Sequence, residues 1–211
     1  MTSAPQTSRD YSFSPRGPRI LAVVLVVLAA IGAVAILVTG GLHSWPACLP
    51  LVVVGYVAWL MFWLPRVDIH DEGVTLVNPL QTLLVPWSAI ILVDTKYAMT
   101  LVTPKRRYAA WAAPAPGVVT ALRDARRSAK SESRDSSGTR YKSIRPGDQR
   151  SSDSGVVASV VRGRLERLAE TGALDVEATE NAKAKRNVHW LHIGILLALL
   201  ALSLSLPAVL V

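Results

Sequence analysis

Residues 20–65 run for 46 positions without one Asp, Glu, Lys or Arg. A helix rises about 1.5 Å per residue, so roughly 20 apolar residues cross the ~30 Å hydrocarbon layer of a bilayer. The stretch is too long for one span and the right length for two joined by a tight turn. Thr39-Gly40-Gly41-Leu42-His43-Ser44-Trp45-Pro46 supplies that turn, with two glycines, a proline and Ser44 placed to N-cap the next helix. A second charge-free run, Trp190–Val211, closes the chain with 22 residues. The pattern predicts an integral membrane protein with three spans.

The charged residues give the expected orientation. The chain carries 23 Lys/Arg against 15 Asp/Glu, a net charge of +8. Arg9, Arg16 and Arg19 precede the first apolar run, and the other basic residues lie between Arg66 and Arg186. The 39–46 turn has no Lys or Arg, and neither does the chain after Trp190. Basic residues of short flanks stay on the cytoplasmic side. This bias predicts a plasma-membrane protein with a cytoplasmic N-terminus, residues 66–189 cytoplasmic and Val211 external. The basic balance is thus a topology signal, and nucleic acid is not an expected partner. A cleaved signal peptide is disfavoured. The apolar run continues through Ile36-Leu37-Val38, past the cleavage-like Ala33-Val34-Ala35, and exceeds the usual core of about 7–15 residues. The single cysteine, Cys48, allows no internal disulfide and reads as a small buried apolar residue.

Past Pro65 the pattern changes to short alternating runs. Val67–His70, Val74–Val77, Thr82–Val85, Ile90–Val93, Ala98–Val102 and Arg107–Trp111 read as strands, separated by Asp71-Glu72-Gly73, Asn78-Pro79, Pro86 and Pro104-Lys105-Arg106. Such spacing predicts an antiparallel meander curled into a small barrel or sandwich. Val118, Leu122, Ala125 and Ala129 then fall at helical spacing, predicting a helix that plugs one end of the barrel. Nine serines among residues 128–154 leave too little apolar surface to repay ordering. Helical period resumes with Val157, Val161, Leu165 and Leu168, and Gly172 ends it. The expected organisation is therefore a cytoplasmic tail at 1–19, a transmembrane hairpin at 20–65 and a barrel domain at 66–130. A disordered Ser-rich linker at 131–154, a cytoplasmic helical segment at 155–187 and a third transmembrane helix at 188–211 complete it.

Asp71-Glu72-Gly73-Val74, Asn78-Pro79-Leu80, Val85-Pro86-Trp87-Ser88-Ala89-Ile90 and Tyr108-Ala109-Ala110-Trp111-Ala112-Ala113-Pro114 occur in this order. In this the chain resembles bacterial pleckstrin-homology (PH) domain membrane proteins, and among them the actinobacterial family of low molecular weight protein antigen 6. The resemblance implies two N-terminal spans and a small PH-like antiparallel β-barrel closed by a helix, within an integral membrane, α+β protein. It implies no catalytic residues and no cofactor. The helix at 155–172 and the third span are additional to the family's pattern.

Lys105, Arg106 and Arg107, with Lys96 in the preceding turn, are the candidate lipid- or partner-binding residues. Each basic residue near an anionic surface contributes about 1 kcal/mol. The plainer reading is a solvated turn obeying the cytoplasmic charge bias. Trp87, Trp111 and Tyr108 read as core aromatics before they read as a ligand groove. His189 and His192 stand at i and i+3, but no nearby carboxylate or cysteine completes a metal site, so they read as interface histidines. Asp68, Asp71 and Glu72 belong with a turn rather than a catalytic carboxylate pair. No Gly-rich phosphate loop, nucleophile elbow or HExxH motif occurs, and the spans carry no charge for an ion path. The expected function is a non-catalytic interaction module on the membrane, whose partners are lipids or another protein. The alternative is an accessory or assembly subunit of a membrane complex, its small residues Gly32, Ala33, Ala35, Gly55 and Ala58 forming the interface.

Overall fold

The computed structural model describes residues 11–115, 153–172 and 184–209. They divide between two compact units. In chain order the elements are β1 (Tyr11–Phe13), α1 (Arg16–Gly40), a 3₁₀ segment (Leu42–Cys48), α2 (Leu49–Ala58) and a π turn (Trp59–Trp63). There follow β2 (Arg66–Ile69), β3 (Gly73–Asn78), β4 (Gln81–Pro86), a 3₁₀ turn (Trp87–Ala89), β5 (Leu92–Asp94), β6 (Ala98–Val102) and β7 (Arg107–Pro114). The last are α3 (Asp153–Glu170), β8 (Lys185–Val188) and α4 (Trp190–Val209).

The apolar unit contains Ser14–Pro65, the β3–β4 tip Val77–Thr82 and Arg186–Val211. Arg16–Gly40 and Leu42–Trp63 are each long and apolar enough to cross a membrane, and the apolar helix Trp190–Leu206 is shorter. The 3₁₀ segment, α2 and the π turn make one continuous helical rod. Small residues bring α1 and α2 together. A Cβ on Gly32 would stand 3.0 Å from Leu51 Cδ1, and one on Gly55 would stand 3.9 Å from Ala29 Cβ. Ala22, Ala29, Ala58 and Leu60 are buried in the same unit. The side chains of Ile20, Val24, Val27, Leu28, Ile31 and Val34 are exposed, an arrangement suited to hydrocarbon rather than water. Ser44 does not N-cap α2. Its hydroxyl donates to the Gly40 carbonyl at 2.9 Å and its amide to Gly41 O at 3.1 Å. The chain leaves α1 through Gly41 at φ 74°, and that left-handed step turns Ser44 back onto the carbonyls that α1 leaves open.

Among the described residues the other unit contains 11–13, 66–76, 83–115, 153–172 and 184–185. All six expected strands are present, in two antiparallel sheets. One runs β1-β2-β3-β4 within this unit, and the other runs β5-β6-β7. Leu76, Val85, Met99 and Leu101 lie fully buried between them. Gly73 is required where β3 starts, because a Cβ there would lie 2.3 Å from the Val85 carbonyl oxygen. Its own carbonyl accepts the His70 amide at 2.9 Å and closes the β2–β3 turn. Trp87 is buried, and its indole N–H donates to His70 O at 3.0 Å.

Three elements depart from expectation. Tyr11–Phe13, within the expected cytoplasmic tail and not among the expected strands, pairs antiparallel with β2, Tyr11 opposite Ile69 and Phe13 opposite Val67. An open strand edge accepts any extended segment whose apolar side chain faces the core, and Phe13 packs there. The second departure is α3, expected as an addition beside the domain. It supplies Val157, Ala158 and Val161 to the core. Arg162 donates to Val93 O at 2.8 Å, and Arg164 ion-pairs with Asp71. Gly172, at φ 66°, lies just past its end as expected. Third, Lys185–Val188 is a strand beside β4 where a helical connector is expected, since edge pairing outweighs the weak local preference of a short polar segment. The helix expected at 118–130 and the linker at 131–154 lie outside the described residues, except that Asp153 and Ser154 begin α3.

Candidate interaction site

The turn between β6 and β7 is built from Thr103-Pro104-Lys105-Arg106. Proline fixes φ at the second turn position, and Thr103 ties the ends together. Its amide and hydroxyl donate to Arg106 O at 2.9 and 2.8 Å, and its Oγ1 accepts the Arg106 amide at 3.2 Å. Lys105, Arg106 and Arg107 are exposed on this fixed frame. None of them ion-pairs with a carboxylate among the described residues. Strand register sets their neighbours. Arg107 lies opposite Val102, and Val102 lies opposite Leu92 on its other side. The Ile91 amide donates to Val102 O at 2.9 Å. Ile91 and Leu92 are 59 % and 56 % exposed. This end of the sheet therefore carries an exposed aliphatic pair at the start of β5 and, on the far side of β6, three exposed cations in the β6–β7 turn and at the start of β7. The pair is hard to see in the sequence, where Ile90–Val93 reads as one apolar strand; Ile90 and Val93 are indeed buried, at 7 % and 3 % exposure.

Lys96 is not part of this corner. It lies in the β5–β6 turn, at the opposite end of the five-residue strand β6, which spans about 17 Å. There its amide donates to Asp94 Oδ1 at 3.2 Å, and its ammonium lies 4.9 Å from the Tyr97 ring centroid. The aromatic residues also separate. Tyr108 packs on the core, but Trp111 is 55 % exposed. The cause is a bulge, for Ala98 pairs with Pro114 while Thr100 pairs with Ala109, and the extra β7 residues re-aim Trp111 outward.

A second constellation lies within the apolar unit. The Tyr56 hydroxyl and His192 Nδ1 are 3.0 Å apart, and Thr82 Oγ1 and His189 Nε2 are 2.9 Å apart. His189 Nδ1 faces Pro79 O at 3.4 Å. A carbonyl only accepts, so in the neutral ring Nδ1 carries the proton and Nε2 accepts from Thr82. The rings of His189 and His192 meet edge to face with centroids 5.5 Å apart, and Trp59 meets His192 at 5.6 Å. Both imidazoles thus satisfy hydroxyls and a carbonyl. No group of three or more His, Cys, Asp or Glu side chains among the described residues is placed to hold a metal. Arg19 stacks on Trp63 at 5.3 Å in the same unit, a cation–π contact at the end of a helix rich in apolar residues.

Residues 64–136 match the family model described as Bacterial PH domain. No curated protein and no solved structure matches the chain. The match covers the β2–β7 meander with its two packed sheets and ends before α3, which nevertheless completes the core. The match spans about a third of the chain, and over it the sequence is similar to bacterial PH domains.

Proposed function

We propose that this is a non-catalytic, multi-pass plasma-membrane protein whose cytoplasmic PH domain binds a protein partner or the anionic inner leaflet. The observation that carries the reading is the exposed Lys105-Arg106-Arg107 turn. It holds three cations on a rigid frame without an ion-pair partner among the described residues. PH domains serve as lipid or protein interaction modules, and this one follows directly on an apolar helix through Pro65-Arg66. Such a short link keeps the domain near the bilayer, where weak contacts act at high effective concentration. In this reading Trp190–Val211 is a third span, the N-terminus is cytoplasmic and the C-terminus is external, as the distribution of Lys and Arg favours.

Assembly into a larger complex through the small residues of the spans is the weaker reading. Gly32, Gly55 and Ala58 are occupied within the apolar unit itself. The discriminating experiment places a photo-crosslinking amino acid at Arg106 of the full chain in cells. Adducts with lipid or with a defined protein support an interaction module of the corresponding kind. Absence of both, with efficient adducts from Val24 or Ile31 to another membrane protein, overturns the reading in favour of a subunit held by its spans.

A further inference from the structure

The strand β1 has three residues and pairs on one side only, at the edge of its sheet. Its middle residue, Ser12, is exposed and stands directly opposite Asp68. The Ser12 hydroxyl donates to Asp68 Oδ1 at 2.6 Å, and Asp68 Oδ2 accepts Arg66 Nε at 2.9 Å. An exposed hydroxyl bonded to a carboxylate is a place where one modification reverses the sign of an interaction. A phosphate ester there would remove the donor and set a charge of about −2 against the carboxylate. Arg66 is a single cation, and its side chain is 46 % exposed, so it does not neutralise both anions. The Asp68 side chain is only 15 % exposed, and water screens the repulsion incompletely.

We propose that Ser12 is a phosphorylation site whose modification releases β1 from β2. The modifying enzyme is a protein serine kinase acting with a nucleoside triphosphate. The Ser12 oxygen forms a bond to the γ-phosphorus, and the bond from that phosphorus to the β,γ-bridging oxygen breaks. A nucleoside diphosphate leaves, and the hydroxyl proton passes to the kinase's base. Transfer requires the hydroxyl to leave Asp68 first, and a three-residue edge strand opens at small cost. Arg9, three positions before Ser12, and Arg16, four after, give the segment basic flanks, which suit an acidic substrate groove. Once the phosphate is in place, repulsion by Asp68 opposes return of the strand. Phe13 then leaves the core it packs against, and the edge of β2 is open to another extended segment. The proposal is independent of what the basic β6–β7 turn binds. It rests on the cytoplasmic N-terminus read above, because nucleoside triphosphates are supplied on that side.

Two measurements on the full chain test it. In the first, the protein is purified from its native membranes with phosphatase inhibitors, from growing and from resting cells. The tryptic peptide Asp10–Arg16 is then sequenced by mass spectrometry. Phosphate on Ser12 is expected; its absence there in both preparations, or its confinement to Tyr11 or Ser14, overturns the proposal. In the second, phosphoserine is installed at position 12 by genetic encoding, and hydrogen exchange is followed in detergent micelles. The β2 amides that face β1 should exchange about tenfold faster than in the parent, the ratio that corresponds to loss of one hydrogen bond to a charged group. Those of β3 should not change. Ser12→Ala, which loses the donor and adds no charge, should fall between the two. In an Asp68→Asn background the phosphoserine and serine chains should exchange alike, because the repulsion is gone. Unchanged exchange in the phosphorylated chain, or an acceleration that persists with Asp68→Asn, overturns the release. A reporter fused ahead of Met1 that responds from outside would overturn the proposal through the orientation instead, and leave the measured release standing.

Discussion

At the residue scale, glycine is required at position 73 by space. The missing Cβ lets β3 start against the Val85 carbonyl, and a methyl group at 2.3 Å from that oxygen would push two strands apart. Gly73→Ala should therefore destabilise the PH domain by about 1–3 kcal/mol. At Gly163, by contrast, nothing lies within 4 Å of the added carbon. There the same change removes a flexible residue from α3 and should stabilise by up to about 1 kcal/mol. Protease susceptibility of the two full-length variants, followed with denaturant, measures both. A Gly73→Ala protein as resistant as the parent would mean that the β2–β3 turn relaxes more freely than its hydrogen bonding suggests. The sequence marks Gly73 as a turn residue, but the clash partner Val85 is twelve positions away and is visible only when the strands are paired. The same limit applies to Thr82 and Tyr56. Each looks unremarkable in its own segment, and each gains its histidine partner only through packing.

At the element scale, α3 is the informative case. Its apolar spacing marks it as amphipathic, but spacing does not say what covers the apolar face. In the structure Val157 and Val161 are fully buried among the strands. A fragment confined to residues 66–130 would expose that core and would also lack β1. Val161→Ala should cost about 2 kcal/mol, and Val161→Asp should cost more by burying an unpaired carboxylate. Ser159→Asp, two positions away on the exposed side of the helix, should be nearly neutral. Thermal unfolding of the PH domain in the full chain, followed by cysteine trapping at a buried site such as Met99→Cys, ranks the three. Equal behaviour of the Val161 and Ser159 variants would remove α3 from the domain.

At the scale of the whole molecule, the prediction concerns orientation. Every Lys and Arg lies either before Ile20 or between Arg66 and Arg186, so one side of the membrane should receive both groups. A reporter inserted at Gly138 should behave as internal and one fused after Val211 as external. An external Gly138 reporter would reverse the placement of the PH domain and with it the access of Lys105, Arg106 and Arg107 to the inner leaflet.

Features set by local chemistry are legible in the chain before it folds. The absence of charge over a bilayer's length, the alternation of side chains along each strand of the β2–β7 meander and the turn residues between them act within a few positions. Apolar helices and hairpins follow from them without reference to the rest of the chain. The pairings between distant segments, by contrast, arise only on folding. Phe13 reaches β2 across the whole of the apolar hairpin, and Val161 reaches the core from well beyond the meander. Register and a bulge turn Trp111 outward and set Leu92 in line with Arg107 while sending Lys96 to the other end of the sheet. Local preferences cannot encode such choices. They depend on which exposed edges and apolar faces remain to be covered once the local elements have formed, and that is a property of the assembled fold.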